Sequence, residues 1–550
     1  MILTLVIILM LLASVTLINP VSVNLGATAE QIVAMAVTND TSSSMSTTTT
    51  PIKHLIVIYQ ENVAFDTYFA TYPIAQNLPG EPHFSASPDT PSINGLTVSL
   101  LNNNTNLVDP FRFDREDAKI VAVCGNAHTY THIQKTYNSG LLDKFVGDVY
   151  NTTSKNCSQN QPMGFFDGNT VTALWNYAQH FAMSDNFHST IFGPSLPGHI
   201  HLISGQTHGA IPENIPDMVS NGTLIGDIDS TFDDCSEGQT ISFTGENIGN
   251  LLNENGVTWG WFQGGFKPTS RIAVESDNSN SQTVATNTTA VGRAVCESAH
   301  LNIAGENITD YVVHHEPFQY YESTSNPHHL PPTSVEMIGR TDQANHQYDL
   351  SDFWNAAENG SLPAVSFLKA SHYQDGHPGN SDPLDEQTFI VNTMNRLQEL
   401  PEWNETAIII TYDDSGGWYD HVMPPIISQS NDPIYDALLG PDGLCGRAPS
   451  DAYQDRCGYG GRLPMIVVSP WAKINYVDHQ LTDQTSILRF IEDNWELGRI
   501  GDQSFDERAG SILGMFNFTG SHYAERLFLN PDNGTTDMTS VHDVEEGPKE

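Results

Sequence analysis

The sequence predicts an α/β protein with a central, mostly parallel sheet flanked by helices, and three observations carry that reading. Four short stretches are almost continuously apolar and rich in β-branched residues. Segments with apolar residues at helical spacing lie between them. Carboxylates and amides gather directly after two of the apolar runs, where the sites of open α/β sheets form.

In chain order, residues 1–29 open on an apolar run to about Leu17 and pass through Pro20 to Ala27-Thr28-Ala29. That pattern is a signal peptide with its cleavage site, although no Lys or Arg stands near the start. The run is nearly long enough to be an uncleaved anchor instead, and residues 1–20 are the only segment through which membrane anchoring is expected. A Ser/Thr-rich linker occupies 30–51. The folded body is expected over 52–525. Its strands are predicted at 54–59, 364–368, 407–412 and 465–469, all apolar enough to be buried on both faces. Helices are predicted at 171–183 and 486–497 from their apolar spacing. Residues 207–336 are rich in Asn, Ser, Thr, Gly and Asp and read as a large irregular insertion. Residues 526–550 read as an acidic, disordered tail.

At 550 residues the chain suits one large domain with insertions, or two domains. Its 22 Lys and Arg stand against 65 Asp and Glu, a formal charge of −43. Such a chain repels nucleic acid and anionic membranes, so no nucleic-acid partner is expected. An anionic substrate would need a concentrated local positive charge. Six cysteines, at 124, 157, 235, 296, 445 and 457, are even in number with no C-x-x-C pair, which favours disulfides over zinc. Cys445–Cys457 is expected as a local staple and Cys235–Cys296 as a pair within the insertion, with connectivity otherwise open. Sequons at Asn151, Asn221, Asn307, Asn404 and Asn517 add to the expectation of a secreted or surface-anchored glycoprotein.

The first strand runs into Glu61-Asn62, and the strand at 407–412 into Asp413-Asp414. Together these oxygen donors suit a hard divalent cation, although strand ends also collect such residues as turn formers. Ser195 follows Gly193-Pro194, with a helix expected to begin near Leu196-Pro197. A hydroxyl there faces the positive end of the helix, which favours an alkoxide and an incoming phosphate; an ordinary N-cap serine reads the same way. Among 21 histidines, His128, His314, His315 and His377 stand out by placement. Imidazolium groups can bind phosphoryl oxygens or protonate a leaving alkoxide, and each taken singly could equally be structural.

Eight segments are IKHLIVIYQENVAFDTYFATYP (52–73), HTYTHIQKTYNSGLLDKFV (128–146), GPSLPGHIHLISG (193–205), HHEPFQYYEST (314–324), YQDGHPG (373–379), TYDDSGGWYDHVMPP (411–425), GGRLPMIVVSPWAK (460–473) and TDQTSILRFIEDNW (482–495). Together they resemble the bacterial phospholipase C and acid phosphatase family of the alkaline phosphatase superfamily. The resemblance implies an alkaline-phosphatase-like catalytic domain over 52–525. It implies a divalent metal ion, identity open, held by Glu61, Asn62, Ser195, Asp413 and Asp414. Ser195 matches the nucleophile position, and His128, His314, His315 and His377 match the active-site histidines. Ala127 departs from the Asp found there in many members, and Asp414-Ser415 replaces the more usual Glu-His. The C-terminal domain of some phospholipases is expected to be absent. The implied activity is phosphate-ester hydrolysis through a phosphoserine, on a phosphate ester or phospholipid headgroup. A broad-specificity acid phosphatase and an inactive acidic surface glycoprotein are the alternatives. Oligomeric state is left open.

Overall fold

Three neighbouring parallel strands form the middle of an eight-stranded sheet: β1 (His54–Gln60), β5 (Val365–Lys369) and β6 (Thr406–Tyr412). In the computed structural model, which describes residues 47–146, 157–272, 292–439, 445–519 and 523–536, every residue of these three strands is buried. Their β-branched side chains have no solvent face to choose, so the runs read as continuous rather than alternating. Each fully buried Ile or Val contributes about 1.5–3 kcal/mol of transfer free energy. The register is direct, with Leu55 opposite both Val365 and Ala407.

The full order is β4-β3-β5-β1-β6-β7-β2-β8, where β2 is Ala182–Ser184, β3 Trp259–Gln263, β4 Gln347–Asp349, β7 Met465–Val468 and β8 Tyr476–Asp478. Only β7 runs antiparallel to its neighbours. The mostly parallel sheet is the one expected. Four of its strands were not legible beforehand. Three of those, β2, β4 and β8, are only three residues long. The fourth, β3, lies within 207–336, so that segment supplies core as well as loops, and its Trp-Gly-Trp-Phe run lacks the β-branched residues that mark a strand.

Six helices matter to the site or its support: α1 (Tyr130–Tyr137), α2 (Thr172–His180), α3 (Ser195–Ser204), α4 (Leu350–Glu358), α5 (Pro383–Glu399) and α6 (Gln484–Asn494). The helix expected over 171–183 stops at His180, because Ala182-Met183-Ser184 pairs with β7 and β8 instead. The one expected at 486–497 starts earlier, capped by the Asp483 and Ser486 side chains in a reciprocal box, and ends at Asn494.

Both ends of the described chain are tied down more than their composition implies. Asn494 Oδ1 accepts from Thr50 Oγ1 at 2.7 Å, and Ile52 is buried. Residues 526–536 are a correction to the expected disordered tail. Asn395 and Gln398 of α5 bond the backbone of Leu529 and Leu527 in both directions, and Leu529 is buried. The signal or anchor segment and residues 537–550 lie outside the described residues. Cys235–Cys296 and Cys445–Cys457 pair as expected, and Cys124 joins Cys157. Asn221, Asn307 and Asn404 are exposed.

Candidate active site

Because β5, β1 and β6 lie side by side and parallel, their carboxyl ends deliver Lys369, Glu61-Asn62 and Asp413-Asp414 to one place. All five side chains are fully buried. Asn62 turns the chain at φ 54°, a left-handed conformation that asparagine tolerates, and its backbone N–H donates to Asp413 Oδ1 at 2.8 Å. The turn after β6 closes against the same residue. Gly416, at φ 58°, packs so tightly on the Asn62 carbonyl that a side chain there would collide with it.

Ser195 is the first residue of α3, one position earlier than expected, and the first turn of that helix lies against the backbone just after β6. Gly198 permits that approach: a Cβ there would run into the Asp413 backbone. The Ser195 hydroxyl lies 3.1 Å from Glu61 Oε2, 3.2 Å from Asn62 Oδ1 and 3.4 Å from Asp414 Oδ2. The next backbone N–H, of Leu196, donates to Asp227 at 2.9 Å.

Crowding of acids marks this spot electrostatically. Burial, opposed by Lys369, pushes Glu61 up to about 7, and burial together with Asp413 pushes Asp414 up to about 8. Asp413 is held well above the usual carboxylate range by burial and then by Glu61. A divalent cation would relieve all three. The Asn62 amide supports that fit: oriented with Oδ1 towards Ser195, the oxygen accepts from that hydroxyl and otherwise faces carboxylate oxygens of Glu61, Asp413 and Asp414, an arrangement suited to a cation. Turned over, the amide would instead donate to the carboxylates and accept from His377 Nε2 at 2.7 Å.

Histidines ring this centre. His128 Nε2 lies 3.3 Å from Asn62 Nδ2, and the His128 and His377 rings are 5.6 Å apart. Burial works against protonation of His128, but Asp414 and Asp227 outweigh it and raise the group above an ordinary histidine. His377 is driven well below by burial and by His372 and His128. His315 sits deeper, with Nε2 3.4 Å from Glu61 Oε1. His314 is half-buried, its ring 4.6 Å from that of His315. Thus Glu61, Asn62, Ser195, Asp413, Asp414, His128 and His377 share one centre, His315 lies on its inner side and His314 borders it through His315.

Four nearby residues were not singled out from the sequence. Lys369 contacts Glu61 Oε1, and His199 Nε2 lies 3.4 Å from the same oxygen. Asp375 faces His315 Nδ1 at 3.8 Å, and the His372 ring is 5.6 Å from those of both His315 and His377. A lysine ending an otherwise apolar strand was a usable signal for the first. His199 stands four residues after Ser195, one helical turn on, which is why its Nδ1 reaches the Ser195 carbonyl at 2.9 Å. Of the other groups with metal-like spacing, Cys235 and Cys296 are joined as a disulfide, and Asp66, Asp420 and His421 surround the buried Arg462 guanidinium.

Residues 52–498 match the phosphoesterase family throughout. The chain belongs to that family. Its curated relatives include a non-hemolytic phospholipase C of Pseudomonas aeruginosa, 24% identical over 85% of this chain and 57% of the relative. Phospholipase C A of Mycobacterium tuberculosis is 22% identical over 83% of this chain and 77% of its own length. Non-specific phospholipase C6 of Arabidopsis thaliana is 37% identical, over 23% of each chain. The phosphoesterase chain thus spans little more than half the length of the Pseudomonas relative.

Proposed function

We propose that this phosphoesterase is an exported, metal-dependent hydrolase of phosphoric esters that works like a phospholipase C, through a phosphoserine at Ser195. The observation that carries the reading is the Ser195 hydroxyl at a helix N-terminus, 3.1–3.4 Å from oxygens of Glu61, Asn62 and Asp414. Glu61, Asn62, Asp413 and Asp414 would hold a divalent ion, with Ser195 beside it. When bound, that ion supplies Lewis acidity for the serine alkoxide and the phosphate charge.

Glu61 and Asp414 are the nearest carboxylates to the Ser195 hydroxyl and can take its proton. Ser195 Oγ attacks phosphorus in line, the bond to the leaving oxygen breaks, and the phosphoryl group stays on the serine. The first turn of α3 presents its positive end to the equatorial oxygens. His128 and His377 divide the proton work: the raised His128 carries a proton to the leaving alkoxide, and the depressed His377 is available as an acceptor. Water then attacks the phosphoserine with these roles reversed. The headgroup phosphate of a phospholipid is the proposed substrate, supported by the names of the curated relatives. Three disulfides and the exposed sequons support export.

The test offers purified protein a phosphate monoester, a phosphate diester and phosphatidylcholine vesicles, with Ser195→Ala and a chelated sample alongside. Turnover of diester or lipid should fall about 10⁴-fold or more in Ser195→Ala. Acid quenching during turnover should trap phosphate on the serine. Most of the activity surviving in Ser195→Ala would overturn the covalent route. Activity confined to the monoester would make the protein a phosphatase, and no turnover of any ester would leave the inactive surface protein.

A further inference from the structure

Lys369 is a fully buried lysine at the floor of the site, and its surroundings are unusual for an ion pair. Its ammonium contacts Glu61 Oε1. Two imidazole nitrogens approach that same oxygen, His199 Nε2 and His315 Nε2, each at 3.4 Å, from rings stacked 5.2 Å apart. The His199 Nδ1–H donates to the Ser195 carbonyl, so its Nε2 carries a lone pair, and that atom has no hydrogen-bond partner. Asp375 Oδ2, also fully buried, has none either. Lone pairs of a carboxylate and an imidazole do not approach each other in a dry interior without a positive charge between or beside them. Two potential ligand sets overlap here, Glu61 with His199 and Asp413, and Glu61 with His315 and Asp375. Such mixed nitrogen and oxygen sets suit a transition metal.

We infer that Lys369 is the resident cation of this inner half of the site: its ammonium takes the place between Glu61, His199, His315, Asp375 and Asp413 that a second metal ion would otherwise fill. The inference rests on the proposed ion at Glu61, Asn62, Asp413 and Asp414 for the outer half. A single ammonium, paired with Glu61 Oε1, places one positive charge among the inner acceptors where a divalent ion would place two. It also keeps Glu61 Oε1 turned inwards while Oε2 faces Ser195. Lys369 is therefore a positioning residue, acting on the serine through Glu61, and removing it should leave a preformed pocket of nitrogen and oxygen ligands.

The experiment counts bound zinc per chain by native mass spectrometry and elemental analysis after zinc loading and removal of free ion. Wild type should carry one ion at the site, and Lys369→Ala should carry one more than wild type. Lys369→Arg, which retains the charge, should show no gain. In the wild-type background His199→Gln should leave the count unchanged, because no metal sits on that ring, and this arm stands even if Lys369→Ala fails to fold. Equal counts in wild type and a folded Lys369→Ala would overturn the inference, as would loss of an ion in His199→Gln. A wild-type count of zero would overturn the outer metal site instead, while the difference of one ion in Lys369→Ala would still support the role of Lys369.

Discussion

Gly198 shows how finely a single position sets the chemistry. The residue has no functional group, yet it lets α3 settle against the end of β6 so that Ser195 meets three oxygens of the acidic cluster. Gly198→Ala would press a methyl group into the Asp413 backbone, which cannot swing aside as a side chain can. Overpacking of this kind costs about 1–3 kcal/mol of stability. The larger effect should be functional: a shift of about 1 Å between serine and ligands should cost roughly 100-fold in kcat. Parallel melting curves and kcat measurements on Gly198→Ala check this, and an unchanged kcat would mean that the serine is placed by something other than this contact.

Helix α6 packs against α3 and carries a feature unrelated to catalysis. Glu492 is almost fully buried, with Oε2 3.1 Å from Arg499 Nη1 and its carboxyl paired with that of Asp506. Burial, then the adjacent Asp506, push it up to about 9, far above its ordinary 4.5. Between those two values the folded protein holds a proton that the unfolded chain has released. Folding therefore takes up protons across that window, and stability falls as pH rises through it. Glu492→Gln keeps the shape without the titration, so its melting temperature should decline less than that of wild type between pH 5 and about 9. Identical slopes in the two proteins would show that Glu492 ionises normally.

Across the whole molecule the formal net charge is −43. Much of it lies on the surface, where it repels itself and is screened by salt over a Debye length of about 8–10 Å. Raising salt from about 10 to 150 mM should therefore raise the melting temperature, by a few degrees. A flat or falling response, read by calorimetry, would indicate that the carboxylates are already compensated by bound cations. The same charge concentrates the demand for local positive groups at the site, where Lys369 is buried among acids and His128 is raised by them.

Much of the candidate site was legible in the sequence. Glu61, Asn62, Asp413 and Asp414 follow conspicuous apolar runs, and a parallel sheet brings the ends of such runs together on one side. The α/β architecture followed for the same reason, since strands buried on both faces need no alternation and stand out as blocks of Ile and Val. Short strands such as Ala182–Ser184 carry too little pattern to be told from the end of a helix, and Trp259–Gln263, whose aromatics favour a strand, lacks the Ile and Val run that made the other strands stand out. Lys369, His199 and Asp375 belong to one pocket only because β5 lies beside β1 and α3 turns its first helical turn inwards. Residue identity determined which chemistry was available to the chain. Strand order and helix packing decided which side chains meet, because contacts between residues more than 300 positions apart have no local signature.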